Sequence, residues 1–148
     1  GSGDAGTRPR TGQPKRNAYA ELAIEYIGCE NGRLADADLR DRITRQVMQE
    51  KCLQLTGRRV AEESKSSGAP GAATSIFKYV GSTLSRDGSE LKARLRGLRG
   101  LGWEGDGFSA DELESTRSWL RDRAVTIYGG TNEVQLNIIA KRVLGLPD

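Results

Sequence analysis

Apolar residues along this chain recur mostly every three or four positions, the period of helices with one buried face. Leu39, Ile43 and Val47 repeat every four residues, and Cys52, Leu55 and Val60 continue that side with some drift. The pattern predicts a long helix from Asp36, its N-cap, to about Ser66. Arg40, Arg42, Arg45 and Lys51, with Asp41, Gln49 and Glu50, form its solvated face. Ser66-Ser67-Gly68-Ala69-Pro70-Gly71 breaks it. A second long helix is expected from Ala72 to about Leu98. Ile76, Val80, Leu84, Leu91, Leu95 and Leu98 point inward, with Gly88 as a place-holder. Glycine costs about 1 kcal/mol relative to alanine in an exposed helix interior. Of Gly81, Gly88 and Gly97, Gly81 is the candidate for close approach by a neighbouring helix.

Three further helices are predicted. Ala18 to Cys29 is short, with Leu22, Tyr26 and Cys29 on one side, and Asn31 and Gly32 end it. Gly100 to Ser109 is a glycine-rich loop with Trp103 and Phe108 as anchors. Ser109 or Asp111 then caps a helix to about Ala124, with Leu113, Thr116, Leu120 and Ala124 inward. Residues 1–17 contain almost nothing apolar and read as a tail or linker. No stretch reads as a strand and no repeat is evident. The expected fold is all-α, an up-and-down helical bundle over residues 18–148.

The closing stretch, Thr126 to Pro147, reads as a sharp turn that opens the last helix. Gly129 and Gly130 permit the turn. Thr131 or Asn132 caps the helix, and Asn132 with Gln135 has capping-box spacing. Glu133 suits the first turn, and Lys141 and Arg142 suit the last. Val134, Ile138, Ile139 and Val143 form an apolar face, and Gly145 and Pro147 stop the helix. These residues fit a well-capped core helix. They equally fit a polar cradle, in which free N–H groups beside two glycines receive a ligand.

Composition narrows the chemistry. The chain has no histidine, which excludes Ser-His-Asp and Cys-His catalysis and His-containing zinc sites. Cys29 and Cys52 are too far apart for a metal or redox motif. They read as reduced thiols of an intracellular, cytoplasmic protein, with a single disulfide as the alternative. No apolar run reaches membrane-spanning length, so no membrane insertion is expected. Net charge is only +3, concentrated near the start at Arg8, Arg10, Lys15 and Arg16. No recognition motif accompanies that charge, and no nucleic acid partner is expected.

The literal string goes further. Ile127-Tyr128-Gly129-Gly130-Thr131-Asn132-Glu133-Val134-Gln135, continued by Asn137-Ile138-Ile139-Ala140 and Arg142-Val143-Leu144-Gly145-Leu146-Pro147, resembles the C-terminal end of the acyl-CoA dehydrogenase family. Ser75-Ile76-Phe77-Lys78 resembles the start of that family's preceding long helix. Trp119-Leu120-Arg121-Asp122-Arg123-Ala124 resembles the short helix before the turn. The resemblance runs from Asn17 to Asp148 and is strongest after Thr116.

The resemblance implies α,β-dehydrogenation of an acyl-CoA thioester with FAD as cofactor. Thr131, Asn132 and Glu133 match the cofactor-side positions. Tyr128, Gly129 and Gly130 match the substrate side, with the Gly129 N–H holding the thioester carbonyl. Many members carry their glutamate base where Gly129 stands, so no catalytic residue is assigned. In the family the loop before the fourth helix often reads Gln-x-x-Gly-Gly and touches the flavin's adenine end. Here Leu98-Arg99-Gly100-Leu101-Gly102-Trp103 has no such glutamine. The family's N-terminal helical domain, its middle β-domain and the first long helix of its bundle are not matched. The chain is therefore expected to be incomplete as an enzyme, and to work with missing domains or a partner subunit in a homo- or hetero-oligomer. The alternative is a non-catalytic helical subunit that completes a partner's flavin site.

Overall fold

The computed structural model describes residues 17–67 and 73–147. Five α-helices follow in order: α1 Ala18–Tyr26, α2 Ala37–Ser67, α3 Ala73–Leu95, α4 Ala110–Arg121 and α5 Asn132–Ile138. Short 3-10 turns occupy Gly97–Leu101 and Ala124–Thr126, and a π-helical turn, Ile139–Val143, continues α5. Among the described residues the one β feature is an isolated bridge between Glu30 and Arg33. The expected all-α bundle is what forms. The expected tail and the Gly68–Gly71 part of the break lie outside the described residues.

The core gathers Tyr19 and Ala23 of α1, Leu34, Ile43 of α2, and Leu91 and Leu95 of α3. Leu22, Leu39 and Val47 pack partly against it. The starts of α1, α2 and α4 are chemically marked. Asn17 accepts from the Ala20 N–H, and Asp36 accepts from the Leu39 N–H at 3.0 Å. Ser109, not Asp111, caps α4, and Glu112 returns the bond to the Ser109 N–H at 2.8 Å, a full capping box.

Several expected faces are displaced. α1 stops at Tyr26, so Cys29 lies beyond it and is exposed. Asn31 and Gly32, both at positive φ, instead form a tight turn in which Glu30 and Arg33 exchange backbone hydrogen bonds. On α2 the buried line does not pass through Cys52 and Leu55, which are exposed. A strict four-residue step over-rotates by about 40° each time. The stripe corrects itself through buried Gln46 and half-buried Leu53, Gly57 and Val60. The disulfide alternative falls, because Cys29 and Cys52 are both free.

α3 ends at Leu95, and Gly97, at φ +56°, turns the chain away and leaves Leu98 83% exposed. Close helix approach is at Gly88 rather than Gly81. A Cβ at Gly88 would stand 2.5 Å from Tyr19 Oη and 2.9 Å from Gln46 Nε2, whereas one at Gly81 would meet nothing nearer than 3.8 Å. Trp103 is exposed rather than an anchor. Arginines hold its loop: Arg117 donates to the Trp103 carbonyl at 3.0 Å, and Arg99 donates to that of Gly107. On α4, Glu112 and Thr116 are buried while Leu120 is exposed, and Ala124, beyond the helix end at Arg121, is exposed too.

Candidate functional site

The turn between α4 and α5 is built by local bonds. The Ile127 and Tyr128 N–H groups both donate to the Ala124 carbonyl, at 3.0 and 3.1 Å. Gly129 and Gly130 then take φ of +67° and +93°, a path that L side chains resist. Thr131 is the N-cap, and its Oγ1 accepts from the Val134 N–H at 3.3 Å. Val134 therefore holds the third helical position, and the Asn132–Gln135 capping box does not form.

Asn132 has a different task. It is buried, its Oδ1 accepts from Ser82 Oγ at 2.8 Å, and its Nδ2 donates to Thr83 Oγ1 at 3.2 Å. Gln135 is also buried, and a Cβ at Gly130 would lie 2.7 Å from its Nε2. The inner side of α5 thus buries two amides, Asn132 bonded to α3 and Gln135 beside Gly130. The expected apolar face is displaced: Val134 and Val143 are exposed, and Ile138 and Ile139 are half-buried.

The outer side of the turn is open. Ile127, Tyr128, Gly129, Gly130 and Glu133 are all exposed. Tyr128, at 61% exposure, is not a packed core tyrosine. Lys78 of α3 reaches under the turn, donating to the Val125 carbonyl at 2.5 Å with its ammonium 5.3 Å from the Tyr128 ring centroid. A Cβ at Gly129 would point at Lys78 Cε, 3.7 Å away. Periodicity gave no reason to single out Lys78; the signal available was its place in the Ser75-Ile76-Phe77-Lys78 string.

The structure thus brings Tyr128, Gly129, Gly130 and Glu133 to one exposed edge, with half-buried Thr131 between them, and turns the Asn132 side chain away from it. That edge offers two glycines that a planar or extended ligand can approach. It also offers the Thr131 hydroxyl and the Asn132 and Glu133 N–H groups, which have no carbonyl four residues back within α5, while the Val134 and Gln135 N–H groups are taken by Thr131. The donor set fits a flavin cofactor's polar edge, with Asn132 contributing its backbone alone. Gly129 brings no carboxylate, so the turn holds no proton acceptor at that point. Among the described residues no cluster of metal-ligating side chains occurs, and no helix is long and apolar enough to cross a membrane.

Residues 18–144 match the family model for the acyl-CoA dehydrogenase C-terminal domain. Over 72 residues the chain is 44% identical to acyl-CoA dehydrogenase IpdE1 of Mycolicibacterium smegmatis, covering 49% of this chain and 17% of that protein. Over 112 residues it is 30% identical to acyl-CoA dehydrogenase FadE34 of Mycobacterium tuberculosis, covering 76% of this chain and 14% of that protein. IpdE1 of Mycobacterium tuberculosis is 43% identical over 72 residues, covering 49% of this chain and 18% of that protein. The chain thus spans less than a fifth of the length of these relatives. No solved structure matches.

Proposed function

The chain belongs to the acyl-CoA dehydrogenase family through that family's C-terminal domain, and we propose that it forms the helical side of an FAD-dependent acyl-CoA dehydrogenase site. The remaining walls come from further domains or a partner subunit, in an oligomer. The observation that carries this reading is the contrast across one turn. Tyr128 to Gly130 is open outward, while the Asn132 side chain fixes the turn inward to Ser82 and Thr83. A turn held in place and left uncovered suits a wall of a shared site.

In this reading the Gly129 N–H holds the thioester carbonyl, which makes the α-proton more acidic. Gly130 and the Tyr128 ring lie along the acyl chain. Thr131 and Glu133, with the Asn132 backbone, face FAD. Bound there, FAD supplies the hydride-accepting chemistry. The base is a carboxylate outside this chain's turn, because glycine carries none.

The alternative is a helical subunit that completes a partner's flavin site without chemistry of its own. Gly129 at the usual base position favours it. Native mass and a flavin absorption spectrum of the complex recovered from cells separate the two. A flavin-bearing complex bleached by an acyl-CoA and containing this chain supports the first. A complex whose flavin content and bleaching survive removal of this chain refutes both. The isolated chain is expected to reduce no flavin with any acyl-CoA.

A further inference from the structure

Lys78 and Ser82 lie one turn apart on the same side of α3, about 6 Å along the helix. The closing turn is fastened to α3 at both points. Ser82 and its neighbour Thr83 hold the exit through the Asn132 side chain. Lys78 holds the entry by donating to the Val125 carbonyl. The exposed stretch from Tyr128 to Gly130 spans the two fastenings.

Holding Val125 does not require a charge. A carbonyl also accepts from a neutral donor, and placing a half-buried ammonium there costs hydration. Among the described residues no carboxylate pairs with Lys78. It faces the Val125 carbonyl and the Tyr128 ring, whose centroid is 5.3 Å away. The other charges near the turn are directed elsewhere. Arg121 pairs with Glu114 on α4, Asp122 accepts from Ser85, and Arg123 pairs with Glu90. Glu133 is exposed at the start of α5.

Gly129 decides where the Lys78 charge acts. A Cβ on Gly129 would end 3.7 Å from Lys78 Cε. Adding one bond at each end puts the ammonium within about 7 Å of the Gly129 Cα. A carboxylate side chain at position 129 would cover and neutralise that charge. Glycine leaves it acting on whatever the Gly129 N–H holds.

We infer that Lys78 is a positioning residue of the acyl-CoA site, and that its uncompensated charge beneath Gly129 stabilises the negative charge developing on the thioester oxygen. This rests on the reading in which the Gly129 N–H holds the thioester carbonyl. The α-C–H bond breaks, its proton passes to the carboxylate base outside this turn, and the electron pair delocalises onto the thioester oxygen. Lys78 keeps its own proton and its bond to Val125. At about 7–10 Å and an effective dielectric constant of about 20, one charge changes such an ionisation about ten- to a hundredfold.

The test uses the flavin-bearing complex that contains this chain, titrated with a 3-thia acyl-CoA. Sulfur at the β position leaves no β-hydride, so the bound analogue stops at loss of its α-proton. Its anion then gives a long-wavelength charge-transfer band with the flavin. The pH midpoint of that band should rise by about 1–2 in Lys78→Met and in Lys78→Gln. In Lys78→Arg it should stay near that of the parent. Glutamine keeps a neutral N–H donor for the Val125 carbonyl, and melting followed in parallel reports loss of that bond. A midpoint unmoved in the neutral variants, whatever the melting temperature does, leaves Lys78 a strut and overturns the proposal. So does a midpoint moved equally by Lys78→Arg, or failure of both neutral variants to assemble. A parent complex that holds no flavin, or gives no band, overturns the reading of the site itself and this proposal with it.

Discussion

Replacing Asn132 with alanine tests whether the turn is held from inside. The side chain is buried and makes two hydrogen bonds across to α3, from Ser82 and to Thr83. An ordinary buried hydrogen bond contributes about 0.5–1.5 kcal/mol net, and leaving a partner unsatisfied costs more. Here both hydroxyls keep an acceptor when the amide is removed. Ser82 Oγ also reaches the Tyr79 carbonyl at 3.1 Å, and Thr83 Oγ1 reaches the same carbonyl at 2.9 Å. That keeps the loss near two ordinary bonds, about 2 kcal/mol. For a chain of this size it lowers the melting temperature by roughly 4–8 °C.

Urea denaturation followed by circular dichroism gives the free energy, and Ser82→Ala closes a double-mutant cycle. Because Ser82 bonds Asn132 directly, the two losses should not add, with a coupling of at least about 0.5 kcal/mol. A loss under about 0.5 kcal/mol for Asn132→Ala, or strict additivity with Ser82→Ala, would refute the idea that this amide anchors the turn.

Three other outcomes follow from the geometry. Gly88→Ala puts a methyl 2.5 Å from Tyr19 Oη and 2.9 Å from Gln46 Nε2, so it should destabilise by about 1–3 kcal/mol, measured by the same denaturation, even though alanine is the better helix former. The Ser109 backbone N–H, then the Arg99 charge, hold the Glu112 carboxyl below the usual glutamate range. That stabilisation is complete above the unfolded pKa of about 4.3 and is lost as pH falls through the lower folded value. Glu112→Gln should therefore flatten the fall of melting temperature below about pH 4 and leave a constant deficit above it. Thr131→Val removes the cap to the Val134 N–H and should cost about 1 kcal/mol of stability. In the assembled flavin complex it should also weaken FAD binding roughly ten- to a hundredfold by fluorescence titration. A lowered melting temperature with unchanged FAD affinity would leave Thr131 as a cap alone.

The helices were legible because their ends are marked by chemistry that acts locally. Asp36 and Ser109 cap where a short side chain can reach an N–H three residues on, and that reach is the same in any fold. Which face each helix buries was less legible wherever the buried positions are not apolar. Gln46 belongs to the buried line of α2 because it donates to Glu50 at 2.8 Å and to the Leu84 carbonyl at 2.9 Å. Its partner lies 38 residues away, a distance no periodicity can report. Gly88 looked like a weak point in α3 and is the place where Tyr19 and Gln46 converge.

The same blindness decided the reading of the last helix. Val134, Ile138, Ile139 and Val143 form the pattern of a buried face, yet the fully buried residues of α5 are Asn132 and Gln135, and Asn132 is bonded to α3. The Asn132 amide can do this because α3 presents hydroxyls, Ser82 and Thr83, opposite it. A polar seam of this kind has one satisfied register, whereas an apolar seam tolerates sliding. In the shared site proposed above, a first turn fixed in register would keep its N–H groups in place. Its valines, freed from the core, face outward, where the remainder of a larger assembly can cover them.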